Sequence, residues 1–168
     1  MGSLFFRKIM IATDGSENTK DSVKAGIELA RLSKATVYAV YVVSTDYFSS
    51  MSVDFGWETM YEVLKKEGEG AIRAVEEAGK AVGVQVEPRL LEGHPAPELI
   101  DFAEKEGMDL VIMGTLGRTG LDRILLGSVA GNVVRHCKVP VMVVRGDPGT
   151  PELEKNAHET LRVTGTNK

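Results

Sequence analysis

LVIMGTLGRTGLDRILLGSV, Leu110 to Val129, runs from an unbroken apolar stretch into a G-x2-G-x9-G-S pattern made by Gly114, Gly117, Gly127 and Ser128. Apolar residues without alternation read as a strand covered on both faces, which is the habit of parallel sheets. The first glycine then falls where such a sheet delivers its chain to a crevice at the carboxyl edge. Glycine there lets a phosphate come close to the backbone, because no Cβ stands in the way and positive φ is open to it. Ser128 heads a helical run, Val129 to His136, and so sets a hydroxyl and free amides at a helix N-terminus, a place that attracts anions. The pattern points to nucleotide binding.

Outward from this stretch, short β-rich runs alternate with longer helical patterns, the signature of βαβ units stacked into a parallel sheet. Strands are expected over Lys8 to Thr13, Thr36 to Val43, Val84 to Leu91, Leu110 to Gly114 and Val139 to Val144. Helices are expected over Thr19 to Ser33, Trp57 to Val82, Pro97 to Glu106 and Val129 to His136. Val23, Ile27, Ala30 and Leu32 supply the apolar face of the first helix. In an open α/β sheet whose strand order reverses beside the first strand, the crevice lies between strands one and four, with Asp14 on one lip and Gly114 on the other. Spacing alone leaves a flavodoxin-like order open as well.

The 168 residues suit one domain, 1–145, followed by a polar tail, 146–168, rich in glycine and proline at its start and expected to be mobile. A net charge of −4 with scattered basic residues argues against a nucleic-acid partner. Ile124 to Val134 is free of charge but far shorter than the roughly 18 apolar residues of a membrane span, so no membrane partner is expected. Cys137 is the single cysteine, which excludes an intrachain disulfide and suggests a cytoplasmic protein. Between Ser44 and Gly56, Tyr47, Phe48, Met51 and Phe55 bring apolar mass into a polar connection, read as packing over the sheet edge, with a lid as the lesser alternative.

Four features together resemble the universal stress proteins of the ATP-binding type. They are the opening KIMIATDGSENTKDSVKAG, a second strand closing on Tyr41, Val42 and Val43, the glycine pattern, and the ending RHCKVPVMVV. The resemblance runs from Arg7 to Val144. It implies a five-stranded sheet of order 3-2-1-4-5 with helices on both faces, like that of the adenine nucleotide alpha hydrolases. It also implies an adenine-nucleotide ligand, ATP by preference, with Mg²⁺ or Mn²⁺ held through the phosphates. A further implication is a two-fold dimer in which the last strands, Val139 to Val144, run antiparallel.

Residue by residue, Asp14 can fix the turn after strand one or receive hydrogen bonds from ribose hydroxyls or the base amine, and the resemblance favours the nucleoside. Thr13 can add a hydroxyl, while Ala12 occupies a place often held by proline in relatives. The resemblance implies that Val42 reads adenine through its backbone amide and carbonyl, with Tyr41 and Val43 as alternatives one residue away. Gly114, Gly117, Gly127 and Ser128 are assigned to the phosphates, and Met113 and Val129 would offer backbone atoms beside them. Ser128 is also expected to cap the last helix. Arg118 and Arg123 can pair with phosphate charge or stand as solvated surface arginines. No G-K-[ST] triplet occurs, so the usual P-loop lysine is absent. His94 is read as leading into a helix begun by Pro97, and no spaced pair of residues resembles a metal site. The functional reading is a nucleotide-dependent sensor or switch in stress response. The rivals are a slow metal-assisted ATP hydrolase, with Asp14 or Asp122 acting through a metal-bound water, and an interaction module with little nucleotide binding.

Overall fold

A computed structural model describes residues 6–46, 48, 56–115 and 126–146. Its strands are β1 (Lys8–Ala12), β2 (Thr36–Ser44), β3 (Val86–Gly93), β4 (Leu110–Gly114) and β5 (Val141–Val144). Its α-helices are α1 (Lys20–Ser33), α2 (Trp57–Ala81), α3 (Pro95–Lys105) and α4 (Ser128–His136), and a single 3-10 turn, Glu17–Thr19, precedes α1. All strand pairs are parallel, and the sheet order is β3-β2-β1-β4-β5. This is the order implied by the family resemblance, and the flavodoxin-like alternative falls.

The β period of two divides the core between the faces of the sheet. Ile9, Ile11, Val37, Ala39, Tyr41 and Ile112 pack with α1 and α2 on one side. Met10, Ala12, Val40, Val111 and Met113 pack with α3 and α4 on the other. Every residue of β4 is buried, as its uniform apolar character requires. Each such aliphatic side chain stabilises the fold by roughly 1.5–3 kcal/mol relative to exposure. Helix α1 approaches β1 closely at Gly26, where an added Cβ would stand 2.5 Å from Ile11 Cδ1.

The ends of elements differ from expectation for local reasons. β3 begins at Val86 because the Val84 amide is bonded to the Gly79 carbonyl, finishing α2, while Gly83 adopts φ +72°. α3 begins at Pro95, with proline at the first helical position and His94 at the cap. β5 begins at Val141, since Pro140 has no amide to give and its carbonyl accepts the Val111 amide. β1 stops at Ala12, one residue before the expected Thr13, and the helix expected from Thr19 begins at Lys20, Thr19 closing the 3-10 turn that precedes it. Leu32 is 66% exposed, so it does not belong to the apolar face of α1; Ser22, Gly26, Ile27 and Ala30 carry the buried face. Phe48 packs on Tyr61 of α2, with ring centroids 6.5 Å apart, whereas Tyr47, Met51 and Phe55 lie outside the described residues. No described helix is long and apolar enough to cross a membrane.

Candidate functional site

The strand registers bring the candidate residues to one level. β1 pairs Ala12 with Val40 of β2, and Ile11 with Ile112 of β4. Carried forward past the end of β1, these registers set Asp14 beside Val42 on one side and Thr115 on the other. β1 is the central strand and stops before either neighbour at the carboxyl edge, so the crevice opens at Asp14 between β2 and β4.

The turn after β1 is held by its own side chains. Asp14 Oδ1 accepts the Ser16 amide at 2.9 Å and the Ser16 hydroxyl at 2.6 Å. The Gly15 amide donates to Thr13 Oγ1 at 3.1 Å, and the Thr13 and Thr19 hydroxyls lie 3.2 Å apart. Thr13 is 8% exposed and its hydroxyl is spent inside this turn, so it is not presented to the crevice as the sequence suggested. Gly15 takes φ +76°, and an added Cβ would meet Ala71 Cβ at 3.2 Å, so helix α2 backs the turn closely. A cavity of about 610 Å³ adjoins it, lined among others by Asp14, Ser16, Lys20, Glu67 and Ala74.

Backbone direction separates the three candidates on β2. Successive residues of a strand turn their amide and carbonyl to opposite sides. The Thr36 amide meets the Arg7 carbonyl and the Val40 carbonyl accepts the Thr13 amide, so even-numbered residues of β2 face β1. The Val37 amide meets the Gln85 carbonyl and the Thr45 amide meets the Gly93 carbonyl, so odd-numbered residues face β3. Tyr41 and Val43 are thereby committed to β3. Val42, half-buried, directs its amide and carbonyl past the end of β1.

On β4 the same alternation corrects one expectation. The Val111 and Thr115 amides bond to the Pro140 and Val144 carbonyls, so Met113 between them also faces β5, and its register partner is Val143. Met113 is therefore a buried core residue with its peptide groups in the ladder, not a donor to the crevice. Gly114 faces β1. Beyond it, the Gly127 amide donates to the Thr115 carbonyl at 2.8 Å, which clips the start of α4 to the end of β4. Gly117, Arg118, Asp122 and Arg123 lie outside the described residues.

Helix α4 opens toward the same edge. Its first backbone bond joins the Gly131 amide to the Gly127 carbonyl, which leaves the Ser128, Val129 and Ala130 amides without a partner within the helix. Gly127 holds the cap position at φ −57°, and no side chain caps the helix. Ser128 is thus the exposed first helical residue rather than the cap. Neither Gly114 nor Gly127 takes positive φ. Lack of a Cβ, not backbone freedom, is what glycine supplies at these positions. His94 pairs through Nδ1 with the Asp46 carboxylate, tying the segment after β2 to the end of β3. Tyr61 donates to Glu92 alongside, and that bond raises the phenol pKa. Among the described residues no group of three His, Cys, Asp or Glu side chains is placed to hold a metal ion.

Residues 5–145 match the universal stress protein family. The chain belongs to that family. Two universal stress proteins of Methanocaldococcus jannaschii are similar to it. One is 43% identical over 144 residues, covering 86% of this chain and 85% of that one. The other is 30% identical over 157 residues, covering 85% and 97%. The solved structure of the second has a TM-score of 0.73 and covers 86% of this universal stress protein and 99% of its own chain. A universal stress protein of Archaeoglobus fulgidus, solved in complex with dAMP, is 23% identical with a TM-score of 0.57 over 84% of this chain and 99% of that one. One from Arabidopsis thaliana, solved with AMP bound, is 18% identical with a TM-score of 0.63 over 86% and 95%. At these identities the last two share the fold.

Proposed function

We propose that this universal stress protein binds an adenine nucleotide, ATP by preference, across the crevice between β1 and β4 and acts as a nucleotide-dependent sensor or switch. The observation that carries the reading is the common level of Asp14, Val42 and Thr115, with the open end of α4 clipped to Thr115 through Gly127. Asp14 recognises the nucleoside as a hydrogen-bond acceptor. Val42 reads the adenine edge with one amide and one carbonyl, a donor and acceptor pair that needs no polar side chain. The Ser128 and Val129 amides, the Ser128 hydroxyl and the positive end of the α4 dipole receive the phosphates. Gly114, Gly117 and Gly127 keep Cβ atoms away from them, and Arg118 pairs with their charge.

The nucleotides carried by the Archaeoglobus and Arabidopsis proteins support adenine as the base. Mg²⁺ or Mn²⁺ accompanies the triphosphate through phosphate oxygens, since the described residues bring no carboxylate cluster of their own. Residues 1–145 form the binding domain and 146–168 a tail outside it, in a cytoplasmic protein. Native mass spectrometry of freshly purified protein is the test, followed by isothermal titration with ATP and with adenosine. Retained adenine nucleotide, and tighter binding of ATP than of adenosine, are expected. No retained nucleotide and no heat with either ligand overturns the reading.

A further inference from the structure

We infer that Thr19, buried behind the turn that carries Asp14, is the positioning residue that aims Asp14 at the nucleoside. The inference rests on the nucleoside role given to Asp14 above. Proton counting sets the direction of the hydrogen bonds. Thr19 Oγ1 lies 2.9 Å from the Ser16 carbonyl, which only accepts, so the Thr19 proton goes there. The Thr13 hydroxyl, 3.2 Å from Thr19 Oγ1, must then donate to it while accepting the Gly15 amide at 3.1 Å. The result is one directed chain, from Gly15 N–H through Thr13 and Thr19 to the Ser16 carbonyl, closing around Asp14 and Gly15.

The outer side of the same turn is fixed by Ser16, whose amide and hydroxyl both donate to Asp14 Oδ1. The carboxylate direction is thereby tied to where Ser16 stands, and the Ser16 carbonyl is held by Thr19 twice, by its amide at 3.1 Å and by its hydroxyl, of which the hydroxyl bond links the turn to Thr13. Thr13 and Thr19 are 8% and 6% exposed, so a bond lost there leaves a largely buried polar group to be satisfied. Valine at 19 keeps the shape of threonine and removes the hydroxyl, leaving the Thr13 proton and one acceptor site at Ser16 without partners. Serine keeps the hydroxyl.

The test is adenosine and ATP affinity by isothermal titration in Thr19→Val, Thr19→Ser, Asp14→Ala and the Thr19→Val/Asp14→Ala double variant, with circular dichroism on each. Thr19→Val is expected to weaken both ligands alike by roughly tenfold, as for one aimed hydrogen bond lost. Thr19→Ser restores the affinity, and Thr19→Val has no further effect once Asp14 is alanine, because coupled residues are not additive. A merely structural threonine would lower the melting temperature without this coupling. Should Thr19→Val not fold, Thr13→Val interrupts the same chain and enters the same cycle. Wild-type affinity in folded Thr19→Val, or additive losses in the double variant, overturns the inference while Asp14→Ala still registers the nucleoside contact. No adenosine binding by the wild type overturns the inference and the reading beneath it together.

Discussion

Asp14 shapes its turn together with Ser16 and Thr19, so its removal is read as recognition only where circular dichroism and the melting temperature show the fold retained. Asp14→Ala is expected to weaken ATP and adenosine alike by about 1.5–3 kcal/mol, the range for hydrogen bonds to a charged group, or one to two decades in affinity. Loss confined to ATP would move Asp14 to the phosphates or their cation. Ser128 separates two roles that the sequence had joined. Because Gly127 caps α4 and the Ser128 side chain makes no cap bond, Ser128→Ala should change stability by no more than an ordinary surface substitution, about ±0.5 kcal/mol. ATP affinity should still fall by about 0.5–1.5 kcal/mol for the lost hydroxyl bond. A fall in melting temperature with ATP affinity intact would give Ser128 a purely structural role. Gly127 has the φ of an ordinary residue, −57°, so valine fits its backbone. Gly127→Val is expected to remain folded yet lose measurable ATP binding, since its Cβ and methyls stand at the phosphate end. Wild-type titration by that variant sinks the phosphate assignment.

At the scale of elements, β4 shows why some structure is legible in sequence and some is not. Its five residues are apolar without exception, and both faces are covered. Ile112 is fully buried and paired with Ile11, so Ile112→Ala is expected to cost about 2–5 kcal/mol, measured by denaturant unfolding. A smaller loss would mean that α1 collapses onto the cavity. Val84 looks like a strand residue by type, but the end of α2 claims its amide; propensity cannot register a tertiary competitor of that kind. Leu32 lies two residues past Ala30, a spacing that turns it off the buried face despite its apolar side chain. Asp14 and the glycines around Thr115 could be nominated by residue type and motif, and Val42 only by the family resemblance, with Tyr41 and Val43 as alternatives. Their common level depends on strand register, and the outward aim of Met113 toward β5 depends on ladder phase. Neither is written in the residue types. The Thr13–Thr19 pair escaped because two threonines six residues apart carry no signal until a turn folds them together.

The whole molecule leaves two edges of its sheet, β3 and β5, without a second strand neighbour among the described residues, and the apolar β5 follows β4 at one end of the order. Such an edge aggregates unless it is covered or paired, and we propose a two-fold pairing of Val139 to Val144 with the same segment of a second copy. An isologous contact of this kind closes on itself. Ladder phase decides which residue tests it. The Pro140 and Val144 carbonyls accept from Val111 and Thr115 of β4, so Met142, in phase with them, also turns its peptide groups inward to β4. Met142→Pro would therefore break the sheet within one subunit and say little about the seam. Val141 and Val143 are out of phase and present their amides to the open edge. Val143→Pro removes one of these outward donors while the inward rungs at Met142 and Val144 stay intact. On a size-exclusion column with light scattering, the wild type is expected as a dimer and Val143→Pro as a monomer with the same circular dichroism. A wild-type monomer at micromolar concentration would refute the paired edge. A Val143→Pro dimer would place the contact on another surface, the exposed Leu32 and Val82 among the candidates to be substituted next.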